Sequence, residues 1–452
     1  MSFENTLNRS EINNVVQKLL LKAKHFGATS ADAVGTYGRS LGVVVRNGEL
    51  EDIDNNEGCD VGLRVMVGKR QSCVSTSDTS HASLEKMAER AVAMAKLAPE
   101  DPYCGLIETS KLKKHNPDLQ LYDSTSISPK ELKERALEVE ASALKVKGIL
   151  QAEGANASHA HSEIFFQTSS GFSYEWMSSR HSISVSAIAE LNGSMERDYD
   201  YHSTRWLEDL RSTKEVGQLA GSRAIARIGS KQIKSGAMPV IFDKRVSNAL
   251  LSALLGAISG PSVARGVSFL KDKLGLQVFD GKIQIIDDPQ IIRGHGSRLY
   301  DGEGIIPVKR SLIKNGMLQT WLLNSSSARQ LNRETTGHAS RNISSPPGVS
   351  STNAYIANGS SSPEEIIKQI TDGLLITEMF GPSLNGNTGD YSVGVSGFKI
   401  ENGQKTHPVS EVTVAGNLSE IYKSLTAAND LEFNSATVSP TLLAQGLTVA
   451  GL

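Results

Sequence analysis

No uninterrupted apolar run in the 452-residue sequence approaches the roughly 18 residues that a membrane-spanning helix needs. Its opening residues, MSFENTLNRSEINN, show no basic stretch leading into an apolar one, so no secretory signal is expected. A soluble, cytoplasmic chain without membrane contacts is the expectation. Neither sign of charge dominates: 47 Lys and Arg against 49 Asp and Glu leave a net charge of −2. That balance argues against the clustered basic face of a direct nucleic-acid binder. Cysteine is scarce too. Cys59, Cys73 and Cys104 form an odd set without metal-ligand spacing, expected as free buried thiols. None of the ten histidines forms a helix-spaced pair with an adjacent glutamate. No G-x-S-x-G stands in a strand–turn–helix context, which removes the usual serine-hydrolase elbow.

What is present has the pattern of a two-domain α+β protein. Residues 10–26 carry a serine cap and one apolar face, and Gly27 closes an amphipathic helix. From residue 31 to 76, short β-rich runs alternate with turn signals, among them Asn47-Gly48. Helical periodicity returns over 82–97 and 129–147, the latter with proline in its first turn. A second strand meander, rich in aromatics, is expected over about 162–207, followed by a helix over 212–229. Gly, Ser and Lys break every period between 229 and 239. The expected division is therefore an N-terminal domain, residues 1–235, with an antiparallel sheet and helices, and a C-terminal domain, residues 236–452. The latter reads as β-rich and barrel-like, with helices over 249–258 and 363–373 and a long loop over 333–362.

Candidate chemistry is sparse. His159 and His161, two apart in ASHAHSE, suit a solvated loop or strand edge better than a metal site. The stretch 291–304 packs His295, Asp301 and Glu303 among glycines but lacks the strand–loop–helix context of a phosphate cradle. His295, Asp301 and His338 are the side chains from which an independent metal-dependent hydrolase could build its site. GNTGDYSVGVSGF, residues 386–398, reads either as a binding loop or as glycine-punctuated entry into a strand. By themselves these residues leave the reaction open.

Four segments taken in order narrow it: VVRNGELEDIDNNEGCDVGLRVMVGKR, DGEGIIPVKRSLIKNGMLQTWLLNSSSARQL, TGDYSVGVSGFKIENGQ and PVSEVTVAGNL. Together they resemble the TldD/PmbA family, also called U62 peptidases or modulators of DNA gyrase, over essentially the whole chain. The phrases GAISG, TGDYS and AGNL are similar to its PmbA/TldE branch. The resemblance implies a comparison with TldD-type members, zinc proteases with an HExxxH helix and a downstream cysteine ligand, acting on unfolded peptides. There zinc polarises the scissile carbonyl and activates water. The matching positions here fall on Leu251, Ser252 and Gly256, with Ser439 or its neighbours in the cysteine segment. The chain itself is therefore expected to hold neither catalytic residues nor metal. Zinc would belong to a TldD-type partner subunit, and the isolated chain could form a homodimer. Gly389, Asp390, Tyr391 and Gly394 are the candidates for contacting substrate or partner. Peptide maturation, as in microcin processing, and antitoxin turnover are the implied roles. A non-enzymatic scaffold is the remaining alternative.

Overall fold

The computed structural model describes residues 9–114 and 117–452, with only the backbone of Arg9 and Ser10, so the expected Ser10 cap lies outside the described side chains. The first half runs α1 (Arg9–His25), β1 (Ser30–Arg46), β2 (Glu49–Val67), β3 (Arg70–Thr76), α2 (His81–Leu97), α3 (Pro129–Leu144), β4 (Ile149–Thr168), β5 (Ser173–Leu191), β6 (Ser194–Thr204) and α4 (Thr213–Ala226). Its six strands form one sheet in the order β3-β2-β1-β4-β5-β6, every pair antiparallel. Alternation along β1 and β2 turns Ala31, Ala33, Leu63 and Val65 toward α1 and α2. Val43, Ala155, Ala157, Ile183 and Val185 do the same toward α3 and α4. Local chemistry sets the helix ends. Ser128 and Glu131 close a reciprocal capping box on α3, with Pro129 at its first turn.

The second half continues with β7 (Gly236–Phe242), α5 (Asn248–Ala257), α6 (Gly260–Ala264), β8 (Ile285–Asp287), β9 (Arg310–Lys314), β10 (Met317–Leu318) and α7 (Ser325–Gln330). Then come β11 (Ala339–Ser340), β12 (Gly348–Val349), β13 (Ala354–Ile356), α8 (Pro363–Lys368), β14 (Asp372–Leu384), β15 (Asp390–Glu401), β16 (Gln404–Asn417), α9 (Leu418–Lys423), β17 (Thr426–Ala427), β18 (Thr437–Val438) and β19 (Leu442–Ala450). Strand β7 pairs with β14 in parallel and with β19 antiparallel, and β16 returns to β19. With β15 between β14 and β16, five strands close on themselves. Closure leaves no long sheet edge and encloses a large apolar core. The α+β class and the barrel-like second half are what the sequence led us to expect.

Several expectations need correction. The second meander starts at Ile149, not near 162, so His159 and His161 lie inside β4 with β1 and β5 on either side. They are neither loop nor edge. Residues 333–362 are not an open loop, because β11, β12 and β13 lie within them and Thr336, His338, Thr352 and Asn353 are buried. The helix expected over 363–373 ends at Lys368, since Asp372 already begins β14. Of the cysteines, Cys104 is buried whereas Cys59 and Cys73 are half-buried, all three free.

Polar contacts fasten the halves together. Asp32 on β1 takes Arg64 Nε at 2.5 Å and Arg341 Nε, from the second half, at 2.9 Å. Arg245 Nη2 reaches Asp198 Oδ1 at 2.7 Å, and Arg205 Nη2 donates to the His295 carbonyl at 2.7 Å. Gly62 marks how close the halves come: a Cβ there would stand 2.0 Å from the Ile343 carbonyl oxygen.

Candidate functional site

The segment NALLSALLGA has no β-branched residue and is dominated by Ala and Leu, which favour helix. It forms α5 directly after the barrel strand β7. Leu250, Leu251, Leu254 and Ala257 turn into the core, and the Tyr422 hydroxyl donates to the Leu250 carbonyl at 2.9 Å. Ser247, at the N-cap, makes no capping bond with its side chain; its hydroxyl donates instead to the Ser439 carbonyl at 3.2 Å. Asn248 Nδ2 donates to the Thr437 carbonyl at 3.4 Å. Two stretches almost 200 residues apart, α5 and the one around Ser439, are thus packed side by side. These are the two stretches that the family resemblance picked out.

Their side chains do not fit a zinc ion. Leu251 is 1 % exposed within the core, while Ser252 and Gly256 are exposed. Of these three positions only Leu251 belongs to the core. Ser439 is buried and donates to the Pro440 carbonyl at 3.0 Å. An alkyl side chain, two hydroxyls and a glycine supply none of the imidazole, thiolate or carboxylate groups that bind zinc. Among the described residues no three His, Cys, Asp or Glu side chains group as a metal site requires.

The structure does not assemble His295, Asp301 and His338 into one site. His338 Nε2 lies 3.1 Å from Asp287 Oδ2, and its Nδ1 lies 2.8 Å from the Thr336 hydroxyl. Burial pushes Asp287 upward, but bonding and charge from His338, with the bonds from Thr352, outweigh it and hold this carboxyl below its usual range. Asp301 accepts the N–H groups of Glu303, Ile305 and Ala339. Burial, then the Glu303 charge, raises it. Glu303 in turn holds the backbone N–H and hydroxyl of Ser325. Burial and then Arg205 lower His295 to about 4. Asp301 and His338 are thus each committed to hydrogen bonds with other neighbours.

Gly389, Asp390, Tyr391 and Gly394 sit at the entry to β15. Gly389 has φ +81°, a left-handed turn position, and a Cβ there would meet the Phe269 ring at 3.3 Å. Asp390 accepts from the Thr388 hydroxyl at 2.6 Å and from Asn417 Nδ2 at 3.0 Å. Tyr391 is buried in the barrel core, its hydroxyl without a hydrogen-bond partner among the described residues. Gly394 faces the Phe380 carbonyl within the β14–β15 pairing.

Sequence reasoning missed a cleft of about 540 Å³, bounded by residues 117–122, residues 175–177, Trp206 and Leu299. Its walls come from four separated stretches, and nothing in the local pattern links them.

Three consecutive segments match known family domains: PmbA/TldA metallopeptidase domain 1 (residues 31–95), the central domain (122–228) and the C-terminal domain (235–451). The Escherichia coli O157:H7 protein named metalloprotease PmbA is 35 % identical, over 91 % of this chain and 90 % of its own. A Bacteroides thetaiotaomicron crystal structure described as a modulator of DNA gyrase superposes with TM-score 0.90 at 26 % identity, covering 99 % of this chain and all of the other. TldE from Thermococcus kodakarensis shares the fold at TM-score 0.83 and 22 % identity, over 97 % of this chain and all of its own. By domain content, order and full-length similarity, the chain belongs to the PmbA/TldD metallopeptidase family.

Proposed function

We propose that this chain is a non-catalytic, PmbA/TldE-type subunit that pairs with a TldD-type zinc protease and helps admit unfolded peptides, in peptide maturation and antitoxin turnover. One observation carries the reading. The helix α5 and the stretch around Ser439 lie together, yet offer Leu251, Ser252, Gly256 and Ser439 where a zinc site needs imidazole, carboxylate and thiolate. Zinc is assigned to the partner, and no step of the reaction is routed through this chain. We divide the chain at residues 235 and 236, a reading supported by two apolar clusters confined to the first half beside a large cluster that, apart from Ile233, belongs to the second. Gly389, Asp390, Tyr391 and Gly394 are assigned to substrate or partner contact, supported by the unpartnered buried hydroxyl of Tyr391. We place the complex in the cytoplasm; no helix among the described residues is long and apolar enough to cross a membrane.

Light scattering on a sizing column tests the pairing. Mixed with a TldD-type subunit at micromolar concentration, the chain is expected to elute as a stable complex, whether or not it self-associates alone. Two separate peaks would sink the subunit reading.

A further inference from the structure

The cleft missed by sequence reasoning has the makings of a ligand site. Strand β6 ends opposite His181, so the earlier part of β5 has β4 on one side only, and the cleft opens beside residues 175–177. Its facing wall, residues 117–122, is held firmly. The carbonyls of Leu119, Gln120 and Leu121 accept respectively from Arg293 N at 2.9 Å, Trp206 Nε1 at 2.7 Å and Ser179 N at 3.1 Å. Three successive carbonyls anchored to three separate stretches of the chain make a wall that a ligand need not order.

The lining has one chemical character. Trp176, Trp206 and Tyr122 supply aromatic rings, Leu119, Leu121, Met177 and Leu299 apolar surface, and Asp118 and Glu175 the carboxyl groups. Among the described residues that line it, none is basic. One indole already receives a cation: the Arg293 guanidinium carbon lies 4.2 Å from the Trp206 ring centroid, its charge matched by Asp209 and Glu208. Trp176 has no ring or cation stacked on it among the described residues. An aromatic ring beside carboxylates favours a cation carried on an apolar stem, attracted by the ring quadrupole and the negative charge together. An unbranched aliphatic side chain gains only from the apolar part.

We propose that this cleft binds a lysine or arginine side chain of an extended polypeptide, giving the subunit a sequence preference of its own. The proposal rests on the reading that the chain handles unfolded peptides. Trp176 and Trp206 line the cleft, and the remaining tryptophan, Trp321, is buried in the second half, so intrinsic fluorescence reports on the site. The full-length chain is titrated with acetyl-Ala-Ala-Lys-Ala-Ala-amide and with its norleucine counterpart. The lysine peptide is expected to give a saturable tryptophan signal with an affinity at least tenfold above that of norleucine. Trp176→Leu should abolish the signal at an unchanged circular dichroism spectrum. The exposed pair Asp118→Asn and Glu175→Gln should weaken binding at least fivefold and flatten its salt dependence. Equal affinity for both peptides, or binding undisturbed by the carboxamide pair, overturns the proposal. If the chain joins a TldD-type partner but never binds the lysine peptide, the cleft assignment falls and the subunit reading stands. Lysine-peptide binding by a chain that never joins such a partner keeps the cleft and sinks the subunit reading instead.

Discussion

His159 and His181 face each other across β4 and β5 with ring centroids 4.6 Å apart and planes 18° from parallel. Two stacked imidazoles cannot both take a proton without repulsion. His181 is almost wholly buried, and its Nε2 stands 3.2 Å from Asp123 Oδ2 without the alignment of a hydrogen bond. Burial, then the neighbouring His181 and His161, lowers His159 to about 4; burial also lowers His181, against the pull of Asp123. The unfolded chain titrates these groups near 6.5, so between about 6.5 and 4 it binds more protons than the folded one. The stability that neutral histidines contribute is therefore complete above about pH 6.5 and lost as pH falls toward 4. Denaturant midpoints measured from pH 7.5 to 4.5 should fall, and fall less steeply in the double variant His159→Gln, His181→Asn. His202 and His295, also lowered first by burial, keep part of the slope. An unchanged slope in the double variant would show that the stacked pair is not a source of acid lability.

Within α5 the two sides of the helix make opposite predictions. Leu251 is core, so Leu251→Ala removes its methyl groups and leaves a cavity, costing about 2–5 kcal/mol. Ser252 is exposed, and Ser252→Ala should stay within about 0.5 kcal/mol. It should also leave the peptidase rate of a reconstituted TldD-type complex intact. A melt of each variant and that rate check both, and loss of activity in Ser252→Ala at an unchanged melt would overturn the non-catalytic assignment. Helices of this kind were legible because their signals are local: Ser128, Pro129 and Glu131 announce α3 within four residues. Turns were legible likewise. At Asn47-Gly48, Asn315-Gly316 and Asn402-Gly403 every residue has positive φ, the backbone that Asn-Gly favours. The first half of β4 was not legible, since GANASHAHS alternates small residues with histidines and its apolar partners lie in β1 and β5. Residues 333–362 look like loop by composition, yet Asp287 and Asp301 bind Thr352 and Ala339 from afar. The pairing of α5 with the stretch around Ser439 came from family resemblance alone, and the cleft at Trp176 from neither source.

At the scale of the molecule, one carboxylate joins the two halves. Asp32, fully buried, accepts from Arg64 and from Arg341, whose side chains are 5 % and 3 % exposed. Asp32→Ala leaves both guanidinium groups buried against each other's charge, and should cost about 3–5 kcal/mol in urea unfolding. A loss below about 1 kcal/mol would mean that the junction relaxes freely and that the other contacts between the halves, such as Arg245–Asp198, carry the hold. The proposed role requires that the chain have no catalytic centre of its own, and a single preparation tests that. The purified chain is loaded with zinc, desalted, measured for metal and assayed on an unfolded peptide, alone and after adding a TldD-type subunit. A non-catalytic subunit should hold less than a tenth of a zinc ion per chain and show no cleavage alone, with chelator-sensitive cleavage only in the mixture. One tightly held zinc per chain, together with chelator-sensitive cleavage by this chain alone, would contradict the proposed role.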